Sequence, residues 1–172
     1  TVARAIEYIA AGDVFQVNLT QRFTADFAGQ YPAAHRAAFD SLASISPAWY
    51  GAYIEQAAGA TESRRVIAST SPELFLEVDH AGRVVTRPIK GTRPATVDPM
   101  VLRRSEKDAA ELNMIVDLLR NDLGRVCAYG SVQVTEPRTI ETHPTIHHGV
   151  ATIQGTLHER QDVVDLLRAT VP

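Results

Sequence analysis

The pattern of apolar and polar residues near the N-terminus predicts one helix followed by one strand. Val2, Ile6 and Ile9 share one face at helical spacing, and Gly12 stands where a helix end favours a left-handed residue. We therefore expect a helix that ends at about residue 11. The following run, VFQVNLTQRF, places Phe15 and its apolar alternates on one side and polar side chains on the other, which is typical of a strand.

The middle of the chain predicts a short helix and then a succession of strands. Pro32 suits the first turn of an Ala-rich helix that ends near Pro47. Three stretches rich in β-forming residues follow, namely WYGAYIEQ, RVIASTSPELFLEV and RVVTRPIKG, with glycine-containing turns between them. Each stretch is predicted as a strand.

The last part of the chain combines a long helix with further strands. A helix is predicted from about Asp98 to Val126, closed by Gly124 or shortly after it. The runs SVQVTE and HHGVATIQG are predicted strands, and DVVDLLRATVP is predicted as an amphipathic helix of barely three turns. Strands at hairpin-like spacing, interrupted by helices, indicate an α+β fold rather than a parallel doubly wound sheet.

Both ends of the chain carry helical patterns rather than linkers. Because termini normally fall in exposed linkers, we expect a segment of a longer protein. The alternative is a pair of helices that fray at natural termini.

Composition and charge exclude several classes of protein. Hydrophobic residues make up 45% and charged residues 22% of the 172 residues, as in ordinary globular domains. The net charge of -3 and the isoelectric point of about 6.0 leave no basic surface for nucleic acid, which is not expected as a partner. The single Cys127 cannot form an internal disulfide, so a reducing cytoplasm fits best. No apolar run approaches the roughly 20 residues that cross a bilayer, so we expect no membrane partner.

Two acidic residues lie on or beside the apolar face of the long predicted helix. That face contains Leu112, Ile115, Val116, Leu119 and Leu123. Asp108 falls within the face and Glu111 lies at its edge. A buried carboxylate costs several kcal/mol unless it is paired or binds a cation, so a partner is expected. One candidate is Mg²⁺; the alternatives are ion pairs with Arg103, Arg104 or Lys107, or simple exposure.

Lys90 lies in a strand-to-turn segment between Ile89 and Gly91. If its side chain points inward, burial favours the neutral amine, which can act as a nucleophile or a base. A solvated surface lysine is the ordinary alternative. Gly91 would permit the backbone to approach a ligand closely.

Three histidines, His143, His147 and His148, cluster within six residues and could indicate a metal site. Adjacent residues of a strand point to opposite faces, so His147 and His148 cannot easily share one ion. We instead expect one of that pair to face a pocket as a hydrogen-bonding or proton-transfer group. Glu73 lies in the turn motif SPE, and this pattern alone does not indicate a function for it.

Several longer motifs occur together along the chain. They are GDVFQVNLTQRF, ASTSPELFLEV, RPIKGTRP, KDAAELNMIVDLLRNDLGRV, GSVQV and HHGVATIQGTL. In this order and spacing they resemble the chorismate-binding enzymes, a family that includes the anthranilate, aminodeoxychorismate, isochorismate and salicylate synthases. The resemblance runs from about Ile6 to the C-terminus, and AELNMIVDLLRNDLGR and PIKGT are its most specific elements. It implies part of the chorismate-utilising fold, in which antiparallel sheets carry helices on their outer faces.

The resemblance implies roles for individual residues. Glu111 matches a glutamate that holds Mg²⁺ over the carboxylate of chorismate, and Asp108 stands where a neighbouring acid usually lies. Glu73 matches an acid that helps the C4 hydroxyl to leave. His148 matches a histidine beside the substrate ring, and Thr92 matches a threonine that lines the pocket.

Two positions distinguish the branches of this family. Members that use water carry a lysine base in the first strand, and the matching position in this chain is Gln16. A glutamine cannot take a proton from water, so the implied nucleophile is ammonia. Anthranilate synthases usually read PIAGT, whereas many aminodeoxychorismate synthases read PIKGT, as this chain does at Lys90. In that branch the lysine attacks C2 of chorismate as the C4 hydroxyl departs, and ammonia then adds at C4 and expels the lysine. The implied reaction is the Mg²⁺-dependent amination of chorismate to 4-amino-4-deoxychorismate, which feeds p-aminobenzoate and folate synthesis.

The chain also departs from the family pattern. Ala151 stands where serine is common, and Ala95 replaces an arginine that often follows GTRP. An N-terminal portion, the C-terminal motifs that grip the substrate carboxylates and a glutamine amidotransferase domain are not found in residues 1–172, so we expect a partial chorismate-binding domain that is inactive alone. The resemblance implies that a glutamine amidotransferase subunit supplies the ammonia. The rival predictions are an anthranilate synthase component and, from another class, a truncated remnant that binds without turnover.

Overall fold

The computed structural model describes residues 1–27, 32–59 and 65–171. The chain divides into two units, Thr1–His35 and the part from Arg36 onwards. In the first unit, α1 (Val2–Ala11) ends at Gly12, whose φ of 81° is a left-handed conformation that glycine adopts without steric cost. The predicted N-terminal helix and its glycine end are confirmed.

The strand predicted from VFQVNLTQRF is wrong, because residues 13–27 form neither helix nor strand. Alternation determines which side chains share a face, but a strand also needs a neighbouring backbone with which to pair. No strand among the described residues pairs with this segment. Its apolar side chains, including Phe15 and Phe23, are exposed.

A helix and a two-stranded sheet follow. The helix α2 spans Ala33–Ile45, as predicted, and the antiparallel strands β1 (Tyr50–Gln56) and β2 (Arg65–Ser71) pair along their whole lengths. The stretch RVIASTSPELFLEV is not one strand, since it breaks after Ser71 and its second part, β3 (Leu74–Val78), joins another sheet. Pro72 accounts for the break, because proline cannot donate a ladder hydrogen bond.

The larger sheet is organised around β7 (Ile146–Thr156). One edge of β7 pairs with β6 (Gln133–Thr142). The other edge pairs with β4 (Arg83–Arg87) and with β5 (Ile89–Pro94), while β3 pairs with β4. These pairings are all antiparallel, so the predicted α+β fold with antiparallel sheets is confirmed.

Pro88 separates β4 from β5, so the predicted stretch RVVTRPIKG is two strands rather than one. Proline has no N–H, but its carbonyl accepts a hydrogen bond from the Ala151 N–H at 3.2 Å. Both short strands therefore remain on the same edge of β7.

The long helix predicted from Asp98 to Val126 is two helices, α3 (Pro99–Arg103) and α4 (Glu106–Gly124). Ser105 starts the second helix, because its hydroxyl accepts a hydrogen bond from the Asp108 N–H at 3.3 Å. The end of α4 at Gly124 agrees with the prediction. Its first turn thus begins at Ser105, close to the predicted acidic site.

The core lies between α4 and the larger sheet. It contains Val84, Leu112, Val116, Leu119, Leu123, Ala151, Ile153 and Leu166, all buried. Leu166 comes from the last helix, α5 (Val163–Thr170), whose first turn is capped by Asp162. Burial of each large aliphatic side chain contributes about 1.5–3 kcal/mol, so this contact fixes α4 on the sheet. None of the helices in residues 1–27, 32–59 and 65–171 is long and apolar enough to span a membrane.

Candidate active site

A β-bulge places Lys90 where β5 meets β7. Ile89 lies opposite Val150 and Thr92 lies opposite His148, so two residues of β5 face one residue of β7. Such a bulge bends the strand and changes the direction of its side chains. Lys90 is half-buried, and its Nζ donates a hydrogen bond to the carbonyl oxygen of the neighbouring Ile89 at 3.1 Å.

Both paired strands require a glycine at this bulge, Gly91 on β5 and Gly149 on β7. Gly91 has a φ of 82°, and a Cβ there would lie 2.7 Å from Leu102 Cδ1 and 2.8 Å from Asp108 Cβ. A Cβ on Gly149 would lie 2.6 Å from the Lys90 carbonyl oxygen. Gly91 therefore lets the first turn of α4 lie close against β5, whereas the close approach to a ligand predicted there stays a prediction.

His148 and Thr92 form a cross-strand pair on β7 and β5. The Thr92 Oγ1 lies 2.9 Å from His148 Nδ1, within hydrogen-bonding distance. The His148 side chain is 5% exposed, and its Nε2 has no hydrogen-bond partner among the described residues. Burial, with a further contribution from His143, lowers the pKa of His148 and favours its neutral form. A buried imidazole with one unpartnered nitrogen can exchange a hydrogen bond or a proton with a ligand.

His147 has different partners from its neighbour. Its Nδ1 lies 2.9 Å from Thr142 Oγ1, and its Nε2 lies 3.1 Å from the Val97 carbonyl oxygen. Both ring nitrogens are therefore engaged, which makes His147 a structural residue. In the described ranges, no three His, Cys, Asp or Glu side chains come together in a way that could hold a metal ion.

Glu73 lies in the bend between β2 and β3, and it is exposed. Its Oε1 accepts a hydrogen bond from the Ile89 N–H at 2.6 Å, so the carboxylate reaches the residue that precedes Lys90. Glu73 thus contacts the first residue of β5, and Lys90 and Thr92, the partner of His148, lie within the next three residues of that strand. The pattern of the SPE turn could not have shown this contact, because it depends on how two sheets meet.

The two acids of α4 differ in their surroundings. Asp108 is 6% exposed and accepts a hydrogen bond from Arg93 Nη2 at 2.7 Å. A hydrogen bond from the Ser105 side chain, together with Arg93, lowers the pKa of Asp108. Glu111 is half-exposed and lies 3.7 Å from Lys107 Nζ. The buried carboxylate expected from the helix pattern is therefore present, and its partner in the structure is Arg93.

This arrangement suits a hard cation at Glu111 better than at Asp108. The Glu111 oxygens are accessible, and Mg²⁺ is commonly held by one or two carboxylates plus water and substrate oxygens. The Asp108 carboxylate is already neutralised by a guanidinium. A direct bond from Asp108 to a cation would require Arg93 to release it.

Gln16 belongs to the first unit and is described separately. It is exposed, and its Nε2 donates a hydrogen bond to Asn18 Oδ1 at 3.1 Å. Its role as a substrate-binding residue stays a prediction.

A pocket of about 190 Å³ lies beside His148. Apolar side chains, including those of Ile45, Trp49 and Ile146, form much of its lining, and His143 faces it with His148. Trp49 was not singled out from the sequence, and His143 was considered there only as part of a histidine cluster that could indicate a metal site. The spacing of Glu141 and His143 was an available signal, because alternate residues at the end of a strand lie on one face.

The comparisons with known proteins identify the class of this protein. The family described as chorismate binding enzyme matches residues 1–172, and the chain belongs to that family. The resemblance drawn from the sequence motifs is therefore confirmed.

Similar proteins include aminodeoxychorismate synthase and anthranilate synthase components. The chain is 43% identical to aminodeoxychorismate synthase component 1 of Escherichia coli, over 96% of this chain and 36% of that protein. It is 40% identical to anthranilate synthase component 1 of Thermus thermophilus, over 99% of this chain and 36% of that protein. The crystal structure of anthranilate synthase component I from Streptococcus pneumoniae matches with a TM-score of 0.79 and 32% identity, over 99% of this chain and 36% of that chain. The chain thus spans little more than a third of the length of these relatives, and the likeness confirms the expected fold.

Proposed function

We propose that this protein, at its natural length, aminates chorismate to 4-amino-4-deoxychorismate with ammonia from a glutamine amidotransferase subunit. The observation that carries this proposal is Lys90, which stands on the β5 bulge two residues from the Thr92–His148 pair. The 43% identity to an aminodeoxychorismate synthase component supports the same branch of the family.

Lys90 is proposed to act as a covalent nucleophile. The unshared electron pair of Nζ would form a bond to C2 of chorismate while both ring double bonds shift and the C4–oxygen bond breaks. Glu73 is proposed to assist the hydroxyl, which leaves as water after it gains a proton. Ammonia would then bond to C4, both double bonds would shift back, and the C2–Nζ bond would break to release Lys90. One difficult displacement is thereby divided into two easier ones.

His148 is proposed to receive the proton that the incoming nitrogen gives up. Its lowered pKa keeps the imidazole neutral, and Nε2 lacks a partner within the described chain. Thr92 supports this role, since its hydroxyl holds the opposite ring nitrogen, Nδ1, at 2.9 Å. Thr92 and Gln16 are proposed as substrate-binding residues.

Glu111 is proposed as the residue of α4 that binds Mg²⁺, and Asp108 as an acid of the same site. When bound, Mg²⁺ would neutralise and orient a chorismate carboxylate. Glu111 supports the proposal through its accessible carboxylate. Asp108 would contribute its negative charge to the site while its carboxylate stays paired with Arg93.

The test is product analysis of the natural-length protein with chorismate, Mg²⁺ and ammonium. We expect 4-amino-4-deoxychorismate, and we expect Lys90→Ala to reduce its formation by at least about 100-fold while the protein stays folded. Without ammonia, the wild type should gain the mass of a chorismate-derived adduct on the peptide that carries Lys90. Residues 1–172 contain one other lysine, Lys107, so Lys107→Ala is the control and should keep the adduct. If Lys90→Ala forms product at the wild-type rate and the wild type gains no adduct, the covalent route is refuted.

Anthranilate formation is the second candidate. The 40% identity to the Thermus thermophilus protein and the TM-score of 0.79 to the Streptococcus pneumoniae structure support it. The same product analysis separates the two candidates, because anthranilate formation places nitrogen at C2 and releases pyruvate.

A further inference from the structure

His143 packs against His148, and the proposed reaction gives His143 no role. It follows directly after β6, and its ring lies edge-on to the ring of His148, with the centroids 5.5 Å apart. The ring of Trp49 meets it in a similar edge-on contact at 5.0 Å. Three rings therefore stand in series beside the pocket of about 190 Å³, and His143 is the middle one.

A fixed carboxylate lies beside this middle ring. The His143 Nε2 lies 3.7 Å from Glu141 Oε2, and the two side chains are only 22% and 18% exposed. The other oxygen of Glu141 accepts a hydrogen bond from Arg87 Nη2, and the Arg87 Nε donates to Thr152 Oγ1 at 3.3 Å. Thr152 is buried on β7, so this chain of contacts anchors Glu141 to the centre of the sheet.

His148 is restrained from two directions. Thr92 holds its Nδ1 at 2.9 Å, and the edge of His143 packs against its ring. The charged groups that act on it are His143, which lowers its pKa after burial, and Glu141 and Glu73, which act in the opposite direction. Without the His143 ring, the His148 side chain would lose packing on the side that faces the pocket.

We propose that His143 is a positioning residue, whose ring, packed against Trp49 and lying beside the Glu141 carboxylate, keeps His148 on Thr92 and leaves Nε2 for the ligand. This inference rests on the proposed function, because it assigns a partner to the histidine that the function uses. It differs from a general structural role, which would affect folding but not the titration of one neighbouring imidazole.

Two variants of the natural-length protein test this proposal. His143→Ala removes the ring and its electrostatic effect, whereas His143→Phe keeps an aromatic edge against His148. We expect His143→Ala to lower kcat by about tenfold with the KM for chorismate within about twofold, as for other losses of an orienting residue. His143→Phe should recover part of kcat. His80→Gln, on an exposed turn, is the control and should change neither constant.

The second readout is the titration of His148, followed by NMR of histidine-labelled protein. With His143 gone, the titration of His148 should move to higher pH in both variants, because one cause of its lowered pKa has been removed. An unchanged titration, or an unchanged kcat in His143→Ala, would overturn the proposal. The titration does not depend on turnover, so a protein that fails to aminate chorismate would refute the proposed function while the titration still decides this inference.

Discussion

The first turn of α4 and the middle of the same helix are held on the sheet by different interactions. From Leu112 to Leu123 the inner face is apolar and buried, and it packs on β4 and β7 residues such as Val84 and Ile153. The first turn instead carries Asp108, which is held by an ion pair and by a close contact with a glycine. Many dispersed contacts fix the middle, whereas the position of the proposed site depends on a few specific ones.

The largest effect on stability is expected from the glycine that seats this first turn. Gly91→Ala should lower the free energy of unfolding by about 4 kcal/mol, because the added Cβ would meet Leu102 and Asp108 below 3 Å and the backbone has a positive φ. Gly130 is the matched control, since its φ is 79° and nothing lies within 4 Å of an added Cβ. Gly130→Ala should cost only about 1 kcal/mol. Equal losses in denaturant titrations would show that the contact with α4 is unimportant.

A smaller effect is expected from the ion pair. Asp108→Asn should lower the free energy of unfolding by about 2 kcal/mol at neutral pH, because it leaves Arg93 without its charged partner. The pKa of Asp108 is lowered in the folded state, so its contribution is present above the ordinary carboxyl pKa of about 3.9 and is lost as the pH falls through the folded value. The two proteins should therefore converge in acid. Asp117→Asn, at an exposed pair on the same helix, is the control and should cost less than about 0.5 kcal/mol.

The smallest effect on stability is expected at Glu111. Glu111→Gln should change the free energy of unfolding by less than about 0.5 kcal/mol, because its pair with Lys107 is exposed. The same variant should lower the amination rate by at least about tenfold and raise the Mg²⁺ concentration needed for half the maximal rate. The matched measurements are unfolding in denaturant and a Mg²⁺ titration of activity. An unchanged rate and Mg²⁺ requirement would make Glu111 a surface residue of the helix.

The sequence predicted the helix faces better than the ends of the elements. The apolar stripe of α4 correctly placed Asp108 within the buried face and Glu111 at its edge. The breaks at Pro72, Pro88 and Ser105 were missed, although each has a local chemical signal in the loss of a donor or the gain of a cap. Those signals were outweighed by the continuous apolar or helical patterns on either side.

Contacts between distant segments could not be predicted in the same way. Arg93 was not among the cations considered as partners of Asp108, yet it is the partner in the structure, because Gly91 lets β5 approach α4. The ring series through His143 joins β6 to the turn before β1, some 90 residues earlier in the chain. Periodicity contains no information on such pairs, whereas the family resemblance placed His148 and Thr92 among the site residues without revealing that they bond each other.

The central position of β7 has a consequence for how the chain acquires its structure. Strands β4 and β5 are made about 60 residues before β7, and β6 precedes it directly, yet all three pair with it. These pairings therefore cannot form until β7 has left the ribosome, and pairings of such long sequence separation form slowly. Because the bulge at Lys90 exists only against Gly149, the proposed nucleophile is expected to acquire its geometry in the same late step in which β7 pairs with β5.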